Sequence, residues 1–206
     1  MTIIAMPAGL LVTRQQFGLQ DYGFTFDGSD SGATQSTILG PMRRTCSLSA
    51  GDSAPPEADV IWRALVHALR GRVNHLAVYD RLNPRPKGTA LGTPTASAAV
   101  AGSNILTLNF GAGQAGATLL QGDWIGVNQG GSNRQLLHVQ ADTSANGSGV
   151  MTVLFEPVLR VAVGAGSAVV LDRPTCLMKQ TTEKNNWSAS KRVEGGFSLD
   201  LMEQWF

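Results

Sequence analysis

The residue types that most often carry chemistry are scattered in this chain. His67, His75 and His138 lie far from one another in sequence and far from the two cysteines, Cys46 and Cys176. A zinc site normally takes its Cys and His ligands in closely spaced pairs, about two to five residues apart. We therefore expect no metal site. We expect the cysteines to be two buried free thiols, with a single long-range disulfide as the alternative.

Motifs for covalent catalysis and for nucleotide binding are missing or lack their context. The chain contains neither Gly-x-Ser-x-Gly nor His-Glu-x-x-His. Residues 111–116 match Gly-x-Gly-x-x-Gly, but only five residues follow before Gly122, too few for the crossover helix of a dinucleotide site. We expect a turn between two strands there, and no catalytic or cofactor-binding residues. A triad or a carboxylate pair assembled from distant residues stays open at this point.

Two tryptophans are the best candidates for contacts with a partner. Trp187 lies in a polar loop, and Trp205 lies near the end of the chain. Tryptophan is enriched at the energetic centres of protein interfaces. The alternative is that each segment folds back over the protein's own core. Trp124, which follows Asp123, is the nearest candidate for stacking on a sugar ring, although its position at the start of a strand favours the core.

The balance of charges excludes some classes of function. The 206 residues include 16 basic and 15 acidic side chains, which gives a formal net charge of +1. A protein that binds nucleic acid through its phosphates needs clustered Lys and Arg, so we expect no sequence-specific nucleic-acid binding. No apolar run approaches the length of about 18 residues that a membrane span requires. The N-terminal segment lacks the basic region of a secretory signal, so we expect synthesis in a reducing cytoplasm and no membrane insertion.

A single amphipathic helix is predicted in a chain that otherwise alternates short apolar runs with turns. Pro55-Pro56 begins this helix, and Gly71 follows its last turn. Its apolar stripe consists of Ala58, Ile61, Trp62, Leu65 and Leu69, and its polar side carries Arg63, His67 and Arg70.

The remaining apolar runs have the length and alternation of strands. The predicted strands are 18–26, 43–49, 72–80, 104–110, 123–127, 135–139, 150–155, 168–171, 175–178 and 190–202, with a turn cluster at 28–32 and a loop at 181–187. Alternate residues share a face: Tyr22, Phe24 and Phe26 in the first strand, and Phe197, Leu199 and Leu201 in the last. His75, which alternates with apolar residues, is expected to be half-buried and hydrogen-bonded.

Two proline-containing segments divide the chain. Residues 83–88 contain two prolines and a glycine. Arg173-Pro174 is a similar proline-containing segment later in the chain. Between these two segments, the strand-sized apolar runs are spaced along the chain as in a small barrel or sandwich. We therefore predict a mainly β fold. A discontinuous β-sandwich domain, residues 1–86 and 174–206, contains the helix, and a small β-barrel or sandwich domain, residues 87–173, is inserted into it.

A series of short motifs follows in a distinctive order from residue 122 onwards. They are Gly-Asp-Trp-Ile at 122–125, Ala-Asp-Thr at 141–143, Gly-Val-Met-Thr-Val at 149–153, Phe-Glu-Pro-Val-Leu-Arg at 155–160, Gly-Ala-Gly-Ser-Ala-Val at 164–169 and Arg-Pro-Thr-Cys-Leu-Met at 173–178. With the helix and the strand that leads to Asn83-Pro84, this order resembles tail proteins of siphovirus-type bacteriophages, which have long flexible tails. The resemblance covers about residues 57–206, and the first 55 residues resemble no family.

The length and the inserted domain are most similar to the distal tail protein family, and this resemblance implies a structural role. In that family the β-sandwich domain forms a ring of six copies that continues the tail tube at the baseplate, and the peripheral domain supports receptor-binding parts. The implied partners are further copies of the chain, the tail tube protein, the hub and tape-measure proteins and the receptor-binding proteins. The implied location is the tail tip of a virion, after synthesis in the host bacterial cytoplasm. A carbohydrate- or receptor-binding module and another minor tail or tail completion protein are the alternatives.

Overall fold

The computed structural model describes residues 1–27, 32–38, 40, 42–51, 56–189 and 194–205. Within these residues the fold is mainly β with a single α-helix, as the sequence predicts. The first elements are β1 (Ile3–Ala5), β2 (Arg14–Gln20), β3 (Gly23–Asp27), β4 (Thr34–Ile38), β5 (Arg43–Ser49) and α1 (Pro56–Leu69). The strands that follow are β6 (His75–Val78), β7 (Thr95–Ala96), β8 (Ile105–Asn109), β9 (Thr118–Leu119), β10 (Trp124–Val127), β11 (Gln135–Val139), β12 (Thr143–Ser144), β13 (Val150–Glu156), β14 (Cys176–Gln180), β15 (Ser188–Ala189), β16 (Glu194–Gly195) and β17 (Ser198–Glu203).

The helix α1 forms where the apolar spacing predicts it. Trp62, Leu65 and Leu69 are each at most 2% exposed, and burying such a side chain stabilises the fold by about 1.5–3 kcal/mol. The Trp62 indole N–H also donates to the carbonyl of Leu11 at 2.7 Å, which fixes the helix against the N-terminal segment. The side chain of Ala58, which the predicted stripe includes, lies outside the described residues.

A six-stranded sheet packs with α1 around the first core. Its strand order is β1-β6-β14-β17-β5-β2, with β1 parallel to β6 and the other neighbours antiparallel. Successive side chains of a strand point to opposite faces, so the alternating pattern places one set in the core. Phe197, Leu199 and Leu201 are each at most 2% exposed, which confirms that they share a buried face. The strands β1 and β2 form the two edges of this sheet.

A five-stranded sheet, with the order β10-β11-β13-β8-β7, surrounds the second core together with the pair β12-β9. The buried residues of this core lie between Ala90 and Leu171 in the chain. The two segments that connect the sheets run side by side, because the Arg173 N–H donates to the carbonyl of Pro84 at 2.7 Å. The proposed domain limits at residues 86/87 and 173/174 stay a prediction.

The prediction of one continuous strand over residues 18–26 is wrong. The strand β2 ends at Gln20, and β3 begins at Gly23. The Asp21 carboxylate accepts a hydrogen bond from the Gly23 N–H at 3.0 Å, an Asx turn that interrupts the extended backbone. Tyr22 therefore lies in the turn. Phe24 and Phe26 still share a face, and their ring centroids are 4.6 Å apart.

Two further strand predictions need correction. Residues 168–171 form no strand, and only isolated bridges join Ala168 to Thr95 and Val170 to Gly126. The predicted strand 190–202 is instead two strands, β16 and β17, and its residues 190–193 lie outside the described part. The predicted turn cluster at 28–32 lies outside it as well, apart from Gly32. The Gly-x-Gly-x-x-Gly segment connects β8 to β9 through a short 3₁₀ turn, which confirms that it joins two strands.

The turn that precedes β13 gives a test of backbone strain. Gly149 has a φ of 75°, and a Cβ there would overlap the carbonyl group of Gly111. Gly147, in the same turn, has nothing within 4 Å of the corresponding position. We expect Gly149→Ala to lower the free energy of unfolding by about 1–3 kcal/mol, and Gly147→Ala to change it by less than about 0.5 kcal/mol. Urea denaturation of the two variants measures both changes, and equal losses would contradict the strain at Gly149.

Candidate interaction surfaces

The strands β3 and β4 continue the β2–β5 pair as a separate two-stranded sheet, and we call residues 21–38 the arm. All five residues of β3 are exposed. Phe24 is 40% exposed and Phe26 is 59% exposed. At the base of the arm, the Tyr22 hydroxyl donates to the sulfur of Met202 at 3.6 Å. The arm is thus anchored at its base and presents two phenyl rings to solvent.

A cleft of about 340 Å³ opens at the root of the arm, between the two large sheets. It is lined by Phe17, Gly18, Leu19, Met42 and Arg44 from β2 and β5 with their flanks, and by Trp124, His138, Gln140, Glu156 and Pro157 from the other sheet. The Trp124 ring lies 4.6 Å from the His138 ring and 6.5 Å from the Phe17 ring. Burial lowers the pKa of His138, and the charge of Arg44 lowers it further, so the imidazole is neutral at pH 7. The cleft therefore has a neutral aromatic wall that suits an apolar group.

Trp124 links the two parts of the chain, and Asp123 beside it is bonded within residues 87–173. Asp123 is 1% exposed, and its carboxylate accepts hydrogen bonds from three backbone N–H groups at 2.7, 3.3 and 2.8 Å. The Trp124 indole N–H donates to the Asp80 carboxylate at 3.0 Å, and the Arg44 guanidinium lies 5.2 Å from its ring centroid. Trp124 is half-buried against the first core, as its position at the start of a strand favours. Asp123 does not reach the surface, so it offers no hydrogen bond to a sugar beside Trp124.

A buried cluster of three charges lies beside the cleft. One oxygen of the Glu203 carboxylate accepts the Arg44 backbone N–H at 3.1 Å and lies 3.7 Å from the Arg44 guanidinium. The other oxygen accepts a hydrogen bond from the Arg160 guanidinium at 3.2 Å. The side chains of Arg44 and Glu203 are 4% and 2% exposed. Burial lowers the pKa of Arg160 to about 10, and the Glu203 charge opposes that shift, so Arg160 stays charged at pH 7.

Our sequence reasoning missed this cluster, although the pattern contains a signal for it. Glu203 follows Leu199 and Leu201 at intervals of two, and these three side chains face the same side of β17. Arg44 lies two residues before the buried Cys46 on β5, so their side chains face the same side of that strand. A charged residue in phase with a buried apolar series requires a partner of opposite charge, because an unpaired buried charge is costly.

Trp205, one of the two predicted partner contacts, packs against the charged cluster. Its ring centroid lies 4.8 Å from the Arg43 guanidinium and 4.5 Å from that of Arg160. The ring is half-buried, and the indole nitrogen is buried without a hydrogen-bond partner in the described part of the chain. Trp205 thus makes contacts within its own chain, and its role toward a partner stays a prediction.

Trp187, the other predicted partner contact, is the outermost ring in a stack of three aromatic rings. It stacks on Phe197 with a centroid distance of 5.8 Å, and Phe197 stacks on the buried Trp62 at 5.8 Å. The edge of His67 approaches Trp187 at 6.3 Å. The loop therefore folds back onto the core, yet Trp187 keeps 39% of its surface exposed. A contact between this ring and a partner stays a prediction.

The remaining candidate residues for chemistry are buried and separate. His75 is 3% exposed rather than half-buried, because β6 lies between β1 and β14 in the sheet. Burial lowers the pKa of His75. Cys46 and Cys176 are buried free thiols, which confirms that prediction, and burial raises the pKa of Cys46 to about 12. Among the described residues, no three His, Cys, Asp or Glu side chains are grouped in a way that could hold a metal ion.

No protein-family model and no curated protein matches this chain. In the described part of the chain, no helix is long and apolar enough to cross a lipid bilayer.

The charged cluster gives a test of electrostatic pairing. Glu203→Gln would leave the buried Arg44 and the half-buried Arg160 without their carboxylate, and we expect it to lower the free energy of unfolding by about 3–5 kcal/mol. The control is Asp172→Asn, which breaks the solvent-exposed pair of Asp172 with Arg85 and should lower the free energy of unfolding far less, because water screens an exposed pair. Urea denaturation at pH 7 compares the two variants. Similar losses in both would show that Glu203 does not compensate the buried arginines.

Proposed function

We propose that this chain is an architectural subunit that assembles with further copies of itself into a ring. We further propose that this ring, of six copies, is the distal tail ring of a siphovirus-type bacteriophage, which joins the tail tube to the baseplate and hub. The observation that carries the self-assembly is the arm. The motif resemblance over residues 57–206 supports the assignment to a phage tail.

We infer that the arm makes a contact that the described part of its own chain does not supply. A two-stranded hairpin is at best marginally stable in water unless it packs against another element. The strands β3 and β4 pair with each other, and Phe24 and Phe26 remain 40% and 59% exposed. A neighbouring molecule that covered these rings would bury apolar surface and stabilise the arm.

The edges of the six-stranded sheet supply a second means of association. The strand β2 has seven residues, and among the described residues it pairs only with β5, so its outer backbone groups face away from the sheet. Such an edge accepts another strand through main-chain hydrogen bonds. If the arm binds a different surface on the next copy, the contact is heterologous. Heterologous contacts generate a ring when the rotation from one copy to the next closes.

In the proposed ring, the two parts of the chain would contact different partners. The β-sandwich part, residues 1–86 and 174–206, would contact its copies, the tail tube protein and the hub and tape-measure proteins. The part formed by residues 87–173 would lie at the periphery and support receptor-binding proteins. Association of this kind is opposed little by electrostatic repulsion, because the net charge is only +1.

The oligomeric state of the purified full chain tests the proposed function directly. We expect native mass spectrometry to give six times the chain mass of 21.7 kDa, and negative-stain electron microscopy to show rings with a central hole. A trimer would favour a hub component instead. A chain that stays monomeric at high concentration would contradict the proposal.

The arm itself is tested by removing its two phenyl rings. We expect Phe24→Ser combined with Phe26→Ser to raise the concentration needed for half-maximal assembly at least about tenfold, because interface aromatics often dominate binding. The melting temperature of the monomer should not change, since neither ring belongs to either core. Sedimentation velocity measures the assembly, and differential scanning fluorimetry measures the melting temperature.

A matched control removes apolar surface from elsewhere. Leu82 is 86% exposed and Val100 is 75% exposed, and both lie outside the arm. We expect Leu82→Ser combined with Val100→Ser to leave assembly unchanged. If this control weakened assembly as much as the arm variant does, the loss would reflect general surface hydrophobicity and not a contact made by the arm.

A further inference from the structure

A series of alternating aromatic rings and guanidinium groups leads from the base of the arm to the charged cluster. The Arg43 guanidinium lies 5.6 Å from the ring centroid of Tyr22 and 4.8 Å from that of Trp205. The Arg160 guanidinium lies 4.5 Å from the same Trp205 centroid. A cation within about 6 Å of a ring centroid is attracted by the ring. We call these four residues, Tyr22, Arg43, Trp205 and Arg160, the base stack.

The inner end of the base stack is fixed by hydrogen bonds. The Arg160 guanidinium donates to the Glu203 carboxylate at 3.2 Å and to the carbonyl of Arg134 at 3.0 Å. The Arg160 backbone N–H donates to the side-chain oxygen of Gln135 at 2.7 Å. A network in which each polar group is satisfied makes its members rigid. Arg160 therefore gives the rest of the base stack a firm point of attachment.

Trp205, in the middle of the base stack, is held by its contacts with two cations. Its indole nitrogen is buried and has no hydrogen-bond partner in the described part of the chain. A buried donor without an acceptor opposes folding. The attraction between the ring and the guanidinium groups of Arg43 and Arg160 offsets that cost, so the position of Trp205 depends on both cations.

Arg43 is the link between Trp205 and the arm. In the described part of the chain no carboxylate pairs with its guanidinium, and its side-chain contacts are with the two rings. The Tyr22 hydroxyl also donates to the sulfur of Met202 at 3.6 Å, but a thioether is a weak acceptor. Arg43 is therefore the stronger restraint on the Tyr22 ring.

The backbone at Tyr22 is a place where the arm can change direction. The strand β2 ends at Gln20, β3 begins at Gly23, and β3 pairs with β4 in a sheet of its own. Residues at the ends of such elements absorb the rotation in a hinge motion. At this point the ladder hydrogen bonds of the six-stranded sheet have ended, so side-chain contacts such as those of Tyr22 restrain the angle of the arm.

We propose that the base stack sets the direction in which the arm leaves the six-stranded sheet and so holds it ready for a second copy. A segment that already has its bound orientation loses less conformational entropy on binding, and its affinity is higher for that reason. The part of this inference that concerns a second copy rests on the proposed function. The orientation of the arm in a single chain does not.

Two substitutions in the full chain interrupt the base stack. Arg43→Gln removes the cation that links the two rings and keeps a polar side chain, and Trp205→Leu removes the middle ring and keeps an apolar one. The matched control is Arg14→Gln, because Arg14 begins β2 as Arg43 begins β5, and it contacts no aromatic ring in the described part of the chain. Circular dichroism establishes that each variant folds like the parent.

Distances between spin labels, measured by pulsed electron paramagnetic resonance in dilute solution, report the direction of the arm. The arm pair carries its labels at Gln35→Cys on β4 and Val60→Cys on α1. The frame pair carries them at Val60→Cys and at Thr152→Cys on β13. These positions are exposed, whereas Cys46 and Cys176 are buried and stay unlabelled.

We expect the distance distribution of the arm pair to become at least about twofold wider in Arg43→Gln and in Trp205→Leu, because the hinge is released. The control Arg14→Gln should leave it unchanged, and the frame pair should stay as narrow as in the parent in all three variants. In sedimentation velocity, Arg43→Gln should need at least about fivefold more protein for half-maximal assembly, because a freely moving arm must be ordered on binding.

Each other outcome overturns a defined part of the inference. If Arg43→Gln leaves the arm pair narrow, or widens the frame pair as much, the base stack does not set the direction of the arm. If the arm pair widens but assembly is unchanged, the orientation does not prepare the arm for a second copy, while the proposed ring stands. If the parent forms no assembly at all, the proposed function fails, and the distances still decide what the base stack does.

Discussion

The carboxylate of Glu203 joins the six-stranded sheet to the segment that follows β13, and the cleft lies beside this link. Its two oxygens bind Arg44 on β5 and Arg160 in the segment beyond β13. Desolvation of three charges is costly, so such a cluster persists only where the geometry satisfies them together. The indole of Trp124, bound to Asp80 at 3.0 Å, adds a second link between the same two parts. Together these links set the second sheet against the root of the arm and so shape the cleft.

Because the frame is held in this way, Phe24 and Phe26 of the arm need not pack against either core. The strands β2 and β5 are fixed in the sheet by seven paired positions, and Tyr22 anchors the point where the arm leaves them. Beyond that point the backbone hydrogen bonds between β3 and β4 maintain the shape, while the phenyl rings contribute little to the monomer. In the proposed ring, stability and adhesion would therefore belong to different residues, because neither Phe24 nor Phe26 is part of either core.

The parts of the fold that follow local periodicity could be predicted from the sequence, and the parts that depend on distant residues could not. The helix α1 and the strands β5 and β11 were predicted within a residue of their ends, because apolar spacing at 3.6 or 2 residues determines which face is buried. The arm was merged with β2, since alternation continues through Asp21 and only the Asx turn interrupts it. The Glu203 cluster joins positions more than 40 residues apart, and no local pattern reveals which partners meet. Trp187 and Trp205 were recognised by type and context, but only the structure shows the rings and guanidinium groups they contact.

A net charge near zero describes the total and conceals the distribution. The chain has 16 basic and 15 acidic side chains, yet between Arg14 and Arg43 it has three aspartates and no Lys, Arg or Glu. In the proposed ring, such an uneven distribution would favour one orientation of neighbouring copies, because like charges placed opposite each other oppose a contact. The phenyl rings of Phe24 and Phe26 would then supply the apolar burial that holds the neighbours together.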